Sequence, residues 1–281
     1  MEKKQYIQHF DVNKMWNRLD FSWQNIHEDV NILVGINGCG KTTLLNLIYS
    51  YYKGEKIKKE LAVNVTGNSI DIPIQIIRSF DVPTKHKKKT ESNLLNDLKG
   101  VIMQNNEGTS FFDYRMQMLN YPDKKKRIEE RINMFFRLIN SLFSETGKFI
   151  DIDKTNNKLI FKIKGTSQYL TDNQGNYLTD NDGNRFTTEE THVQLEQLSS
   201  GEKQMLLILT MVFLQDEKPS ALLLDEPEIS LHISWQSKLI EIIRTLNPNC
   251  QLILTTHSPS IFAKGWMDKI VFINELTKTN R

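Results

Sequence analysis

The stretch Gly35-Ile-Asn-Gly-Cys-Gly-Lys41-Thr42 limits this chain more than any other, because it spells G-x-x-x-x-G-K-[ST] between two apolar segments of different period. Val30–Val34 is a compact apolar run ending in glycine, the pattern of a buried strand. Thr42–Tyr52 carries Leu44, Leu45, Leu47 and Ile48 on one helical face. A strand that enters a helix through a glycine-rich turn aims backbone N–H groups inward at phosphate oxygens, and the helix adds its positive end. Gly35, Asn37, Gly38, Cys39 and Gly40 are expected to form that cradle. Lys41 supplies a point charge for the β- and γ-phosphates, the Thr42 hydroxyl is suited to Mg²⁺, and Thr43 belongs with the nucleotide contacts. Cys39 is read as a small residue tolerated in the turn. The expected ligands are ATP and Mg²⁺.

Composition narrows the setting. The 281 residues carry 36 Lys and Arg against 34 Asp and Glu, a net +2, too balanced to argue by itself for DNA or an anionic membrane. The longest uncharged apolar run, Met205–Leu214, is about half of the roughly 20 residues a spanning helix needs, so no membrane is expected. Met-Glu-Lys-Lys-Gln-Tyr has no apolar stretch after its charges and does not read as a secretion signal. Cys39 and Cys250 are the only cysteines and lie in no CxxC or CxxH spacing, which argues against a disulfide scaffold or structural zinc and for a reducing cytoplasm.

Upstream of the loop, Tyr6–Phe10 and Leu19–Trp23 alternate with turn residues as an antiparallel sheet does. Downstream, Ile57–Val65 and Ile70–Phe80 read as strands with Gly67-Asn68 as a turn, and Lys85, Lys87, Lys88 and Lys89 as a solvated loop. A helix is expected from about Asp123 to Ser144 on the spacing of Ile128, Ile132, Phe135, Ile139 and Leu142. A hairpin over 149–164 turns at Thr155-Asn156-Asn157. Tyr169-Leu-Thr-Asp-Asn-Gln-Gly-Asn then repeats as Tyr177-Leu-Thr-Asp-Asn-Asp-Gly-Asn and fades into Arg185-Phe-Thr-Thr, suggesting short strands joined by Asx-Gly turns. Asp180-Asn181-Asp182-Gly183 is too short for a calcium loop. From Leu195 a helix (201–214), strand (221–224), helix (about 233–246), strand (251–255) and strand (270–273) restore an α/β rhythm and predict a largely parallel sheet.

Two of these strands end in chemistry. Ala221-Leu-Leu-Leu-Asp225-Glu226 delivers paired carboxylates at a strand's C-terminal end, the edge where open parallel sheets bind ligands. Asp225 suits the Mg²⁺ hydration shell, and Glu226 suits a base that orients and deprotonates an attacking water. Gln251–Thr256 ends in His257, placed to hydrogen-bond a γ-phosphate or the attacking water; His232 reads as a turn or interface residue. Leu198-Ser199-Ser200-Gly201-Glu202-Lys203-Gln204 opens a helix whose capped N-terminus is a second anion site. One γ-phosphate cannot easily use both helix N-termini from one subunit.

In this order the elements resemble the ATP-binding-cassette ATPases: Gly35–Thr42 the Walker A loop, Leu198–Gln204 the signature, Ala221–Glu226 Walker B and His257 the switch histidine. The resemblance implies an α/β P-loop fold with a mostly parallel core sheet, an antiparallel β arm and a small helical subdomain. It implies one domain over 1–281, its core lobe about 1–54 and 195–281 and its arm and insertion about 55–194. It further implies a head-to-tail dimer, or a higher assembly of dimers, in which Ser199, Ser200, Gly201 and Glu202 of one subunit face the Lys41 loop of the other, and ATP hydrolysis with Glu226, His257 and Lys41 as the catalytic set. Asp-Glu-Pro-Glu-Ile-Ser-Leu-His and Thr-His-Ser-Pro resemble the soluble branch of SMC/RecF-like and OLD-like proteins and the small ATPases of bacterial anti-phage systems. Transporter subunits more often read Leu-Ser-Gly-Gly-Gln and place an acid where Ser258 follows His257. The residue that follows the arm strand in transporters is open between Gln75 and Arg78, and Trp16 is either the adenine platform or a packed tryptophan. The implied role is a switch acting on a separate effector, a nuclease or toxin. The second reading is a DNA-repair ATPase that clamps DNA through Lys85–Lys89 and Lys124–Arg127, and a transporter subunit and an ATP-holding scaffold without turnover follow it. The interval from Lys41 to Ser199 leaves no room for a long coiled coil, and only 24 residues follow His257, so the effector is expected on another polypeptide.

Overall fold

The computed structural model describes residues 6–278 apart from 63, 79–91, 104–109, 154–157, 166–167, 181–182, 184 and 187–190. The 85–89 lysine run and the 155–157 turn therefore lie outside the described residues. In chain order the elements are β1 (Phe10–Met15), β2 (Leu19–Trp23), β3 (Val30–Val34), α1 (Lys41–Lys53), β4 (Asn64–Gly67), β5 (Ile74–Arg78), α2 (Asn93–Ile102), α3 (Phe111–Asn120), α4 (Lys125–Phe143), β6 (Lys148–Asp153) and β7 (Lys158–Ile163). They continue with β8 (His192–Val193), α5 (Ser200–Leu214), β9 (Ser220–Asp225), α6 (Ile233–Gln236), α7 (Leu239–Leu246), β10 (Cys250–Thr256), α8 (Pro259–Phe262), β11 (Ile270–Phe272), α9 (Ile273–Leu276) and β12 (Thr277–Lys278). The chain divides into two units, Met1–Leu94 with Leu207–Arg281, and Leu95–Leu206.

The first unit is built on a five-stranded sheet of order β11-β3-β10-β9-β5, parallel at every pairing. Strands β9 and β10 are buried along their whole length, which is why their centres, Ala221–Leu224 and Leu252–Leu254, are apolar without alternation. An antiparallel sheet, β12-β2-β1-β4, shares a core with it: Phe10, Val12, Met15, Phe21 and Trp23 join Leu33, Leu223 and Ile253 and the α1 face of Leu44, Leu45, Leu47 and Ile48. Strand β4 pairs with β1 at one end of the antiparallel sheet, and β5 pairs with β9 at one end of the parallel sheet. The physical reason is a hydrogen-bonded edge: β9 would otherwise bury an unpaired strand flank. The single helix expected over 233–246 is two, α6 and α7. Ser237 turns its hydroxyl back to Ser234 O, and the Lys238 N–H donates to Trp235 O, a tight i−3 bond that breaks the run.

In the second unit α4 buries the expected stripe of Ile128, Ile132, Phe135, Ile139 and Leu142. Helices α2 and α3 had no counterpart in the sequence reading. Helix α3 buries only Phe111 and Tyr114 and so shows no helical stripe; it is set by a capping box between Ser110 and Asp113. A three-stranded antiparallel sheet, β6-β7-β8, follows. The 169–186 repeat closes on itself: Leu178 N–H donates to Leu170 O, Phe186 N–H to Leu178 O and Leu170 N–H to Phe186 O, a cycle at eight-residue spacing. Tyr169 and Tyr177 meet edge to face, and the Arg185 guanidinium lies 4.0 Å from the Tyr177 ring centre. Among the described residues, no group of three or more His, Cys, Asp or Glu able to hold a metal occurs, and no helix is long and apolar enough to cross a membrane.

Candidate functional site

The strand order assembles the site. Strand β3 leads into the glycine loop, β9 ends at Asp225, and β10, which leads to His257, lies between them. All three exits therefore share the C-terminal edge of one parallel sheet, where ligands bind in open α/β folds.

The loop crosses from β3 to α1 with Gly40 at φ 102°, a left-handed conformation that glycine adopts without penalty. A Cβ there would also fall 2.6 Å from Met15 Cε and 3.2 Å from Trp16 Cη2, so the position is doubly restricted. Asn37, Gly38, Gly40, Lys41, Thr42 and Thr43 line a cleft of about 200 Å³ together with Trp16 and Glu226. Gly38 and Cys39 also border a neighbouring hollow beside Trp16 and Arg18. Trp16, in the β1–β2 turn, is 39% exposed and borders both. Gly35 contributes its carbonyl, which accepts from Lys41 Nζ at 3.0 Å.

Lys41 is buried, and its ammonium is also 2.6 Å from His257 Nε2 and 3.7 Å from Glu226 Oε1. His257 Nε2 lies 3.2 Å from the same Glu226 oxygen. The three residues expected to be catalytic thus form one triangle. Glu226 sits at φ 46°, a left-handed conformation costing a non-glycine residue roughly 1–2 kcal/mol. Its N–H donates to Thr255 Oγ1 at 3.0 Å, which fixes the turn that swings the carboxylate toward Lys41.

Asp225 is buried and accepts from the Thr42 hydroxyl at 3.0 Å and from the Thr255 hydroxyl at 2.8 Å. Thr42 and Asp225 offer two hard oxygen donors side by side and leave the remaining positions to water and phosphate, a donor set that fits Mg²⁺. Thr255 had no assigned role in the sequence reading, although its register opposite Asp225 explains the contact. Glu228 was also missed; its carboxylate accepts the His257 N–H at 2.6 Å. Gln75 lies mid-strand and accepts from Gln215 Nε2, whereas Arg78 is in register with Asp225 at the end of β5 and donates to Asn46 Oδ1. His232 caps α6 through Nδ1, as a turn residue does.

Ser199, Ser200, Gly201 and Glu202 belong to the second unit. Ser199 Oγ accepts the Glu202 N–H, and Glu202 in turn accepts the Ser199 N–H, a reciprocal cap at the start of α5. Glu202, expected among the nucleotide contacts, is fully buried and turned inward onto Lys148 (2.9 Å) and Thr146 (2.7 Å), because its charge needs a partner there. Burial pushes its pKa up, but hydrogen bonds from Thr146, Lys148 and Ser199 outweigh that and hold it below 4.5. A lowered folded pKa contributes stability above about pH 4.5 that is lost as pH falls through the folded value. Glu202→Gln is expected to cost about 1–3 kcal/mol at neutral pH and to flatten the acid side of the stability profile, which thermal unfolding from pH 3 to 7 measures.

Residues 74–263 match the family model described as "AAA domain, putative AbiEii toxin, Type IV TA system". The chain belongs to this family. The matched range of the AAA domain takes in Asp225, Glu226 and His257 and begins after the glycine loop, whose assignment rests on its own motif and geometry. Among curated relatives, the chain is 23% identical to the Septu protein PtuA of Bacillus thuringiensis over 88% of its own length and 70% of that protein's. It is 30% identical to "Retron Vc95 probable ATPase" of Vibrio cholerae serotype O1 biovar El Tor over 31% of its own length and 19% of that protein's. In fold it is similar to an SMC head crystallised with the C-winged helix domain of ScpA, with TM-score 0.52, 11% identity, and 92% and 91% of the two chains covered.

Proposed function

We propose that the protein binds and hydrolyses Mg-ATP, and that a nucleotide-driven dimer uses the open and closed states to control a separate effector in bacterial anti-phage defence. The observation that carries hydrolysis is the Lys41–Glu226–His257 triangle beside the Thr42–Asp225 pair. Loop N–H groups and the α1 N-terminus hold the phosphates, and Lys41 leaves His257 to meet the β- and γ-oxygens. Glu226 Oε1, released from Lys41, accepts a proton from the attacking water as that oxygen bonds to the γ-phosphorus and the bond to the ADP oxygen breaks. His257 donates to the γ-phosphate and holds the water in line. Bound Mg²⁺, held by Thr42 and by Asp225 through water, would neutralise charge on the β- and γ-phosphates. Trp16, exposed beside the loop, is the surface on which adenine stacks.

Two features support self-association. The signature-like stretch at the start of α5 has no nucleotide role within the Lys41 site that this reading needs, and Ile36, Ile229 and Ile233, close in sequence to the catalytic groups, are exposed. The names of the Septu and retron relatives support a defence role. The decisive measurement is the solution mass of Glu226→Gln with and without Mg-ATP. A doubling of mass is expected only with Mg-ATP, and Ser200→Arg should abolish it while ATP still binds. An unchanged mass at saturating Mg-ATP would remove the dimer from this reading.

A further inference from the structure

We propose that Glu228, helped by Gln236, is a positioning residue that holds the His257 imidazole on the Glu226–Lys41 pair. The proposal rests on the reading of His257 as a hydrolytic residue given above.

Beyond the end of β10 the His257 N–H has left the sheet ladder, and a carboxylate takes it: Glu228 Oε1 accepts at 2.6 Å. A bond of this kind, with one partner charged, is about twice as strong as a neutral one. Glu228 reaches it through the short turn after β9, where Leu231 N–H donates to Glu228 O. A second tie runs beside the first. Gln236 Nε2 donates to Leu231 O at 2.9 Å and to Glu228 O at 3.3 Å, while its Oε1 accepts from the Ser258 hydroxyl at 2.6 Å. The exit of β9 and the exit of β10 are thereby clasped at two consecutive residues, His257 and Ser258, and the imidazole between them lies 3.2 Å from Glu226.

The clasp carries a cost that stability alone does not explain. Glu228 Oε2 is buried and has no hydrogen-bond partner among the described residues, an arrangement that costs free energy in any fold. A serine or asparagine could cap the same turn without it. What this side chain adds is an acceptor oxygen with the reach to hold the His257 amide, which sets the height of the imidazole over the reaction centre.

The test is a double-mutant cycle on ATP turnover, with nucleotide affinity read separately using a fluorescent ATP analogue. Glu228→Ala should lower kcat roughly ten- to a hundredfold with KM unchanged. Glu228→Gln, whose amide oxygen still accepts the N–H, should stay within about threefold of wild type. Glu228→Ala combined with His257→Ala should be no slower than His257→Ala alone, because a residue that acts through His257 has nothing left to position. Losses that multiply, or a Glu228→Ala enzyme with unchanged kcat, would overturn the proposal. If Glu228→Ala does not fold, Ser258→Ala decides the matter by the same cycle, with a smaller loss that must also vanish in the His257→Ala background. Wild-type turnover in His257→Ala alone would instead overturn the role of the histidine, and that arm separates the two failures.

Discussion

Glu226→Gln is expected to lower ATP turnover by about 10²–10⁴-fold while nucleotide affinity is kept or raised. Glutamine keeps the length and the hydrogen-bonding shape of the side chain, so the turn fixed by Thr255 survives. What it loses is the ability to take a proton from water. Glutamine also removes the negative partner of Lys41 and His257, 3.7 and 3.2 Å away, so the site becomes more positive and ATP release should slow. Phosphate release and analogue binding, measured on the same preparation, check both halves. Parallel loss of binding and turnover would mean that Glu226 shapes the pocket instead of acting on water.

Lys41→Ala should show the opposite split. The ammonium is buried at the end of the glycine loop, where it holds Gly35 O, Ile36 O and His257. Deleting it removes two charge-assisted bonds of about 1.5–3 kcal/mol each, so affinity for Mg-ATP should fall by about two orders of magnitude or more. Titration calorimetry at a fixed Mg²⁺ concentration measures this directly. Weak salt dependence of the wild type, with no loss in the variant, would show that the backbone cradle binds the phosphates unaided.

Much of this site is legible in the residues because its parts are local. Gly35–Thr42 needs no tertiary information: the strand, the turn and the helix are contiguous, and Gly40 is restricted by its own φ. Asp225, Glu226 and His257 are found because they end or follow buried strands with an apolar centre, and such parallel strands point their C-terminal ends the same way. The order in which those strands stand side by side is not a local property. Nothing in the stretch around Gln251 says that β10 runs between β3 and β9, and Thr255 gains its contact with Asp225 only from that register. Glu228 is hidden for the same reason, since its partner lies 29 residues away across two strand ends. Glu202 misled in the other direction. Its place in the signature suggested a ligand contact, and only the position of Lys148 on β6 shows where its charge is spent. Helix α3 escaped notice because its aromatic residues lack a periodic stripe.

The 169–186 repeat has one more implication. Leu170 and Phe186 are joined by a backbone hydrogen bond of 2.9 Å, so the peptide leaves this element at the point where it came in. Among the described residues, almost every side chain between them faces solvent, and the bonds that shape the ring are made within it. A segment with touching ends and no share in a core can be excised, replaced or rewritten at the cost of a small change in loop-closure entropy. The fold thus carries a socket in which surface identity can change from one homologue to another while the nucleotide chemistry stays as it is.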